Sequence, residues 1–321
     1  LALRNDVPNR ILMRLPCLTA GIDSREACAF YILIFSPMMN RLFTTLAAFL
    51  LCSSPLRADT IQIQGAVSTA LAILDSAKVL QQERNLTLQI SINGGSVGGI
   101  AALGSRTAEI ALTSKPVSAE ERAAYPDVLF TEIPIGYQTA VLAVSKDVWQ
   151  EGVHTLTANQ VRAIYEGKVR NWKEVGGADQ KITIFMSEPG RGLWEMFAQW
   201  LYGEVKKAPG NHYQNLSTNE EIRNALEFTP GSVGLIQTPF ADRHLLFPLG
   251  IKEGAEILEP RNEDVASGKY PLARKLSLVV NDKPTLNTKI VVDFALSKRG
   301  QAMVKKAAML PISEVTAAAA K

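Results

Sequence analysis

Cysteine is missing from most of this chain: Cys17, Cys28 and Cys52 all lie before residue 59. Residues 59–321 therefore offer no disulfide, no thiol nucleophile and no cysteine metal site, and such a chain tolerates an oxidising compartment. Histidine is scarce too, and His154, His212 and His244 stand at no metal-ligand spacing. Nothing implies a cofactor. A surplus of either charge is also lacking where it would matter. The formal net charge is +3, but six bases and three acids fall in residues 1–58, which leaves 28 of each sign in residues 59–321. With no basic run carrying interleaved aromatics, nucleic acid is not an expected partner. Internal repeats, low-complexity tracts and long linkers are absent as well.

The basic surplus sits in a leader. From Met39 the chain reads Arg41, an apolar run Leu42–Cys52, Ser53-Ser54-Pro55 and a small residue, Ala58, before Asp59. That order is the grammar of a signal peptide over residues 39–58. The apolar run falls well short of the roughly 20 residues that span a bilayer as a helix. Cys52 follows the bulky Leu51, which disfavours a lipoprotein site. Residues 1–38 begin with Leu, show no clear periodicity and are expected to be a non-native upstream extension.

Beyond the leader, two periodicities alternate. Ile61 and Ile63 alternate with glutamines up to Gly65, and Ser68-Thr69 then opens a helical pattern over Ala70–Arg84, with Ser68 as its expected N-cap. Leu86, Leu88, Ile90 and Ile92 repeat the device, and Asn93-Gly94-Gly95-Ser96 turns into a second helix. A third strand over Glu109–Leu112 ends at Thr113-Ser114-Lys115-Pro116. Strands alternating with helices predict an α/β fold whose strand-end loops face one crevice. Ile133–Ser145 is a long extended segment able to cross between two lobes. Further helices are expected at Ala158–Tyr165, Leu193–Val205, Ser217–Leu226, Leu286–Leu296 and Gly300–Ala308, with a frayed tail from Ala317.

Ser68, Thr69 and Ser96 stand where strand-to-helix turns leave free backbone N–H groups and a positive dipole end, a setting that suits an anion. Plain helix caps would have the same residue types. Gly94-Gly95-Ser96-Val97-Gly98 also satisfies Gly-x-Ser-x-Gly, the signature of a hydrolase nucleophile elbow. The three histidines follow it, and Asp179 or Asp242 supplies an acid in the required order. Against that reading, only one mature strand precedes the motif's own strand.

Ordered motifs over most of residues 61–312 carry a resemblance. They include Gln64-Gly65-Ala66-Val67-Ser68-Thr69, Gly95-Ser96-Val97-Gly98-Gly99-Ile100 and Glu109-Ile110-Ala111-Leu112-Thr113-Ser114-Lys115-Pro116. Further along stand Tyr165-Glu166-Gly167, Asn171-Trp172, Thr229-Pro230-Gly231-Ser232-Val233-Gly234, Tyr270-Pro271-Leu272-Ala273-Arg274 and Leu310-Pro311. Together they resemble the phosphate-binding subunits of ABC transporters. The resemblance implies a type II periplasmic binding fold, with lobe 1 at 59–137 and 246–321, lobe 2 at 138–245, and two crossover segments. It further implies a periplasmic protein that binds a small inorganic or organic anion for import or sensing, with an inner-membrane ABC permease as partner and no enzymatic role.

One block departs from the family. Relatives carry an arginine and then Gly-Ser-Gly-Thr, whereas here Glu188 stands at the arginine, Gly190-Arg191-Gly192 replaces Gly-Ser-Gly, and Leu193 replaces the threonine. Arg191 is expected to restore the lost charge as the main contact, with Lys115 second, because a guanidinium grips an oxyanion bidentately. The expected ligand set is Ser68, Thr69, Ser96, Ser114, Lys115, Arg191 and Gly192. A serine hydrolase built on Ser96 and a non-binding interaction protein that reuses the fold are the alternatives.

Overall fold

The computed structural model describes residues 59–204, 212–241 and 246–319. The leader, the upstream extension, Asp242 and His244 lie outside them. The described chain opens with β1 (Asp59–Gly65), α1 (Val67–Arg84), β2 (Leu86–Ser91), α2 (Gly95–Gly104), β3 (Ile110–Thr113) and α3 (Ala119–Ala124). Then come β4 (Thr131–Val144), α4 (Lys146–Gln150), β5 (Thr155–Thr157), α5 (Ala158–Tyr165), β6 (Thr183–Ser187) and α6 (Gly192–Tyr202). β7 (Gln214–Leu216), α7 (Asn219–Phe228) and β8 (Ser232–Gln237) follow, and then β9 (Phe247–Pro248), β10 (Gly250–Glu253), β11 (Glu256–Leu258) and α8 (Asn262–Ala266). The chain closes with β12 (Ala273–Val280), α9 (Leu286–Leu296), α10 (Lys298–Lys306), β13 (Leu310–Pro311) and α11 (Ile312–Ala319).

β1 runs parallel between β2 and β3, with Ile63 opposite both Ile90 and Ile110. Their carboxyl ends therefore share one edge, and the turns into α1 and α2 gather there. β12 joins antiparallel between β3 and β4. β4 then changes partner along its length: Thr131–Thr139 pair with β12, whereas Ala140–Val144 pair with β8. β8 continues in parallel to β6, and β6 to β7. One strand thus belongs to two half-sheets, as the length of its extended segment predicts. Ala140 is held from both sides where the exchange occurs. Its N–H donates to the Leu272 carbonyl at 2.9 Å, and its own carbonyl accepts from the Tyr270 hydroxyl at 2.7 Å.

Each half buries its own core. Ile61, Ile63, Ile73, Leu112, Leu278 and Val304 pack in one, and Val144, Trp172, Ile184, Phe197, Leu235 and Leu272 in the other. Trp172 is wholly enclosed, and its indole N–H donates to the Gly231 carbonyl at 2.9 Å. That bond explains the Asn171-Trp172 loop as a packing device. Leu249, Ile251, Leu258 and Tyr270 share the second core, where β10 runs beside β5.

Two local expectations are corrected. α1 begins at Val67 with Ala66 as its N-cap, so Ser68 lies inside the first turn and caps nothing. The tail expected to fray from Ala317 is helical to Ala319, because Val315 is buried against the second core. Among the described residues no helix is long and apolar enough to cross a membrane.

Candidate binding cleft

Parallel strand ends, antiparallel crossover and the start of α6 enclose one cleft of about 1230 Å³. Its first wall comes from the β1–β3 edge and contains Ser68, Gly94, Gly95, Ser96, Ser114 and Lys115. The helices that begin here carry no side-chain cap: α1 starts after Ala66 and α2 after Gly94. By contrast, Ser118, Thr157, Thr218, Thr285 and Ser297 accept backbone N–H bonds at the starts of α3, α5, α7, α9 and α10, whereas the five-residue helices α4 and α8 start uncapped away from the cleft. Free N–H groups and the positive dipole end are therefore left at the cleft, where an anion can accept from them.

Hydroxyls shape this wall without closing it. The Ser114 N–H donates to Ser96 Oγ at 3.1 Å, and the two hydroxyls stand 3.5 Å apart. Thr69 is elsewhere: fully buried, it donates to the Thr113 carbonyl at 2.8 Å and does not line the cleft. Lys115 lines the cleft, but its ammonium donates to both Glu121 oxygens at 2.6 and 2.8 Å. Gly98 and Gly99 let α2 lie against the chain beside it. A Cβ at Gly98 would come within 2.4 Å of the Asn93 carbonyl oxygen, and one at Gly99 within 2.4 Å of that of Gln64.

The second wall contains Ser187, Gly190, Arg191, Gly192, Leu193 and Glu195. α6 also starts without a side-chain cap, after Arg191. The substituted turn is folded back on itself: Arg191 Nε donates to Glu188 at 3.1 Å, and Ser217 Oγ donates to the other Glu188 oxygen at 2.8 Å. First the Ser217 hydroxyl and then the Arg191 guanidinium hold the Glu188 carboxyl below the usual glutamate range. The expected main cation is thus engaged by its own turn.

Where the walls meet, the cleft presents two residues that motif reading did not single out as ligands. Gln138 on β4 is 4% exposed, lines the cleft, and its Oε1 has no hydrogen-bond partner. Directly across the strand pair stands Arg274 on β12, whose Nη1 donates to Glu195 of α6 at 3.3 Å. Arg274 was visible only as the end of the Tyr270–Arg274 motif. The alternation along Tyr137–Thr139 signals strand but not which face meets solvent.

The hydrolase motif does not build a nucleophile elbow. Such an elbow puts the serine on a strained turn with a histidine in reach. Here the positive φ angles fall on Gly94 (72°) and Gly95 (56°), and Ser96 is not among the residues with positive φ. His154 is bonded to the Trp149 carbonyl, His212 lies against Gly167, and no described histidine lines the cleft.

Comparison with known proteins agrees with this architecture. A sequence model of the PBP superfamily domain matches residues 53–299. The phosphate-binding protein PstS of Borreliella burgdorferi is 25% identical over 260 residues, covering 77% of this chain and 88% of its own. PstS of Bacillus subtilis is 24% identical over 215 residues, 66% of this chain and 67% of its own. The crystal structure of PstS from Borrelia burgdorferi matches with a TM-score of 0.63 at 23% identity, covering 79% of this chain and 98% of the other. An ABC-type phosphate transport receptor from Vibrio cholerae matches with a TM-score of 0.65 at 22% identity, covering 78% and 99%. The fold is the two-lobed type II periplasmic binding fold, its halves joined by β4 and by the crossover segment that leads into β12. The chain belongs to the PBP superfamily, as a divergent relative of the PstS phosphate-binding proteins.

Proposed function

We propose that this protein is an exported solute-binding protein that captures phosphate or a closely related oxyanion in the cleft and passes it to an ABC permease. It holds its ligand and catalyses nothing. The observation that carries this reading is the concentration of three uncapped helix starts, those of α1, α2 and α6, on one cleft edged by Ser68, Ser96 and Ser114. Buried N–H groups without partners are costly, so a cleft that leaves them free is built for an acceptor. The phosphate named for the PstS relatives supports the ligand class, and the name of the Vibrio cholerae receptor is consistent with the transport role.

The reading divides the lobes at Ala140 and again at Ala273, supported by the partner exchange of β4 and by the packing of residues 249–272 into the second core. On this reading the second crossing falls at 273, where the resemblance implies 246, and α11 returns to the second core through Val315. Export would remove the leader through Ala58, leaving Asp59 first, and mass spectrometry of the periplasmic form reads that terminus directly. Calorimetry and thermal shift of residues 59–321 with phosphate, sulfate, phosphonates and carboxylates test the function. Phosphate or a related oxyanion should raise the melting temperature and give saturable heat. No response to any of them would discard the reading.

A further inference from the structure

We propose that Arg274 and Gln138, at the junction of the lobes, make the principal contact to the bound anion, and that Glu195 occupies Arg274 as a stand-in which the ligand displaces. This rests on the anion-binding reading above. Three cations line the cleft near a carboxylate, and their situations differ. Lys115 is doubly bonded to Glu121, and Arg191, 52% exposed, is tied within its own turn. Arg274 is only 17% exposed, yet it makes a single hydrogen bond, at 3.3 Å, to Glu195. A guanidinium has five donors in a planar fork, so most of Arg274's capacity is unused by the described residues around it.

The cross-strand neighbour strengthens this assignment. Arg274 and Gln138 are directly paired between β12 and β4, and neighbouring side chains of such a pair share a face. Gln138 is nine-tenths buried with an unpartnered carboxamide oxygen, which an interior does not leave unmatched without a reason. A Cβ on Gly192 would sit 3.7 Å from that oxygen, so the amide lies beside the first residue of the uncapped α6. Guanidinium, carboxamide and free helix start thus come together. An oxyanion there accepts from Arg274 and the α6 backbone, and a hydroxyl on the ligand donates to Gln138. A monohydrogen phosphate or phosphonate meets both demands, whereas sulfate offers acceptors only. Glu195 comes from the opposite wall, so its carboxylate bridges the lobes through Arg274 and competes with an arriving anion for the guanidinium's charge.

Calorimetry with phosphate on residues 59–321 tests this through opposite signs. Arg274→Gln should weaken binding by about 10- to 100-fold, the effect of losing a charge-assisted contact. Glu195→Gln should strengthen it by about 3- to 10-fold, because the competitor is neutralised. Gln138→Leu should narrow the preference for phosphate over sulfate. Circular dichroism confirms folding, and Arg274→Lys serves if Arg274→Gln does not fold. If wild type binds phosphate and Arg274→Gln or Arg274→Lys binds it equally well, this assignment falls and the anion-binding reading stands. If Glu195→Gln weakens binding alongside Arg274→Gln, the pair is a structural strut and the assignment also falls. If wild type binds no oxyanion, both readings fall together.

Discussion

The two walls of the cleft solve the same problem differently. The first keeps the family's motifs and offers neutral groups: uncapped starts of α1 and α2 with the hydroxyls of Ser68, Ser96 and Ser114. The second departs from the Arg and Gly-Ser-Gly-Thr that the resemblance leads one to expect, and its charges, Arg191 and Glu188, pair with each other while the Ser217 hydroxyl donates to Glu188. Backbone amides are removed only by proline, so a wall built from them survives most sequence drift. Side-chain charges can be replaced singly, and each replacement must find a partner or be repelled.

The glycines make the contrast measurable. Gly65, at the end of β1, has φ of 151°, and a Cβ there would lie 2.0 Å from the Leu112 carbonyl oxygen. Gly190, in the second wall, has φ of 82° with nothing within 4 Å of a Cβ. Gly65→Ala should cost roughly 3 kcal/mol or more, through backbone overlap added to conformational strain. Gly190→Ala carries only the left-handed penalty, about 1–2 kcal/mol. Urea midpoints of the two variants test the ranking. Equal losses would show that the first wall is no more tightly built than the second.

Binding should separate the walls as well. Ser96→Ala removes the acceptor of the Ser114 N–H and should weaken phosphate binding by about 3- to 10-fold, with any esterase background unchanged. A 100-fold loss of a measured esterase rate would instead make Ser96 a nucleophile. Arg191→Ala should change affinity by less than about 3-fold, since exposed ion pairs contribute little. A loss as large as that expected for Arg274 would restore Arg191 as the main contact and erase the contrast between the walls.

Much of the fold was legible where apolar spacing and turn residues mark out an element. α5 and α9 fall on the expected residues, and the long apolar stretch from Ile133 proves to be the shared strand β4. β5, β9, β10, β11 and α8 were invisible, being two to five residues long and stabilised by packing around Leu249 to Leu272. Glycine turns such as Gly94-Gly95 announced the first wall of the site. Gln138, Arg274 and Glu195 gave no such signal, because their meeting depends on strand register and on which side of α6 faces the hinge. Thr69 shows the reverse case, where motif adjacency suggests a ligand and the helix turns its hydroxyl inward to Thr113.

The smallest effect tests whether the second wall is truly closed on itself. The Glu188 carboxyl is held below the usual glutamate range, first by the Ser217 hydroxyl and then by Arg191. A folded value below the unfolded one means that the turn's contribution is complete above the ordinary range and is lost as the pH falls through the depressed value. Ser217→Ala removes the larger cause, so Glu188 should titrate higher in that variant, and Arg191→Ala should move it less. Glu188 is 45% exposed, so the change is sought in the titration and not in global stability. Carboxyl carbon NMR across the acid range gives the midpoints. If Glu188 titrates alike in wild type and both variants, the turn is open in solution. Arg191 would then be free to meet the ligand, and the two walls would share the anion's charge.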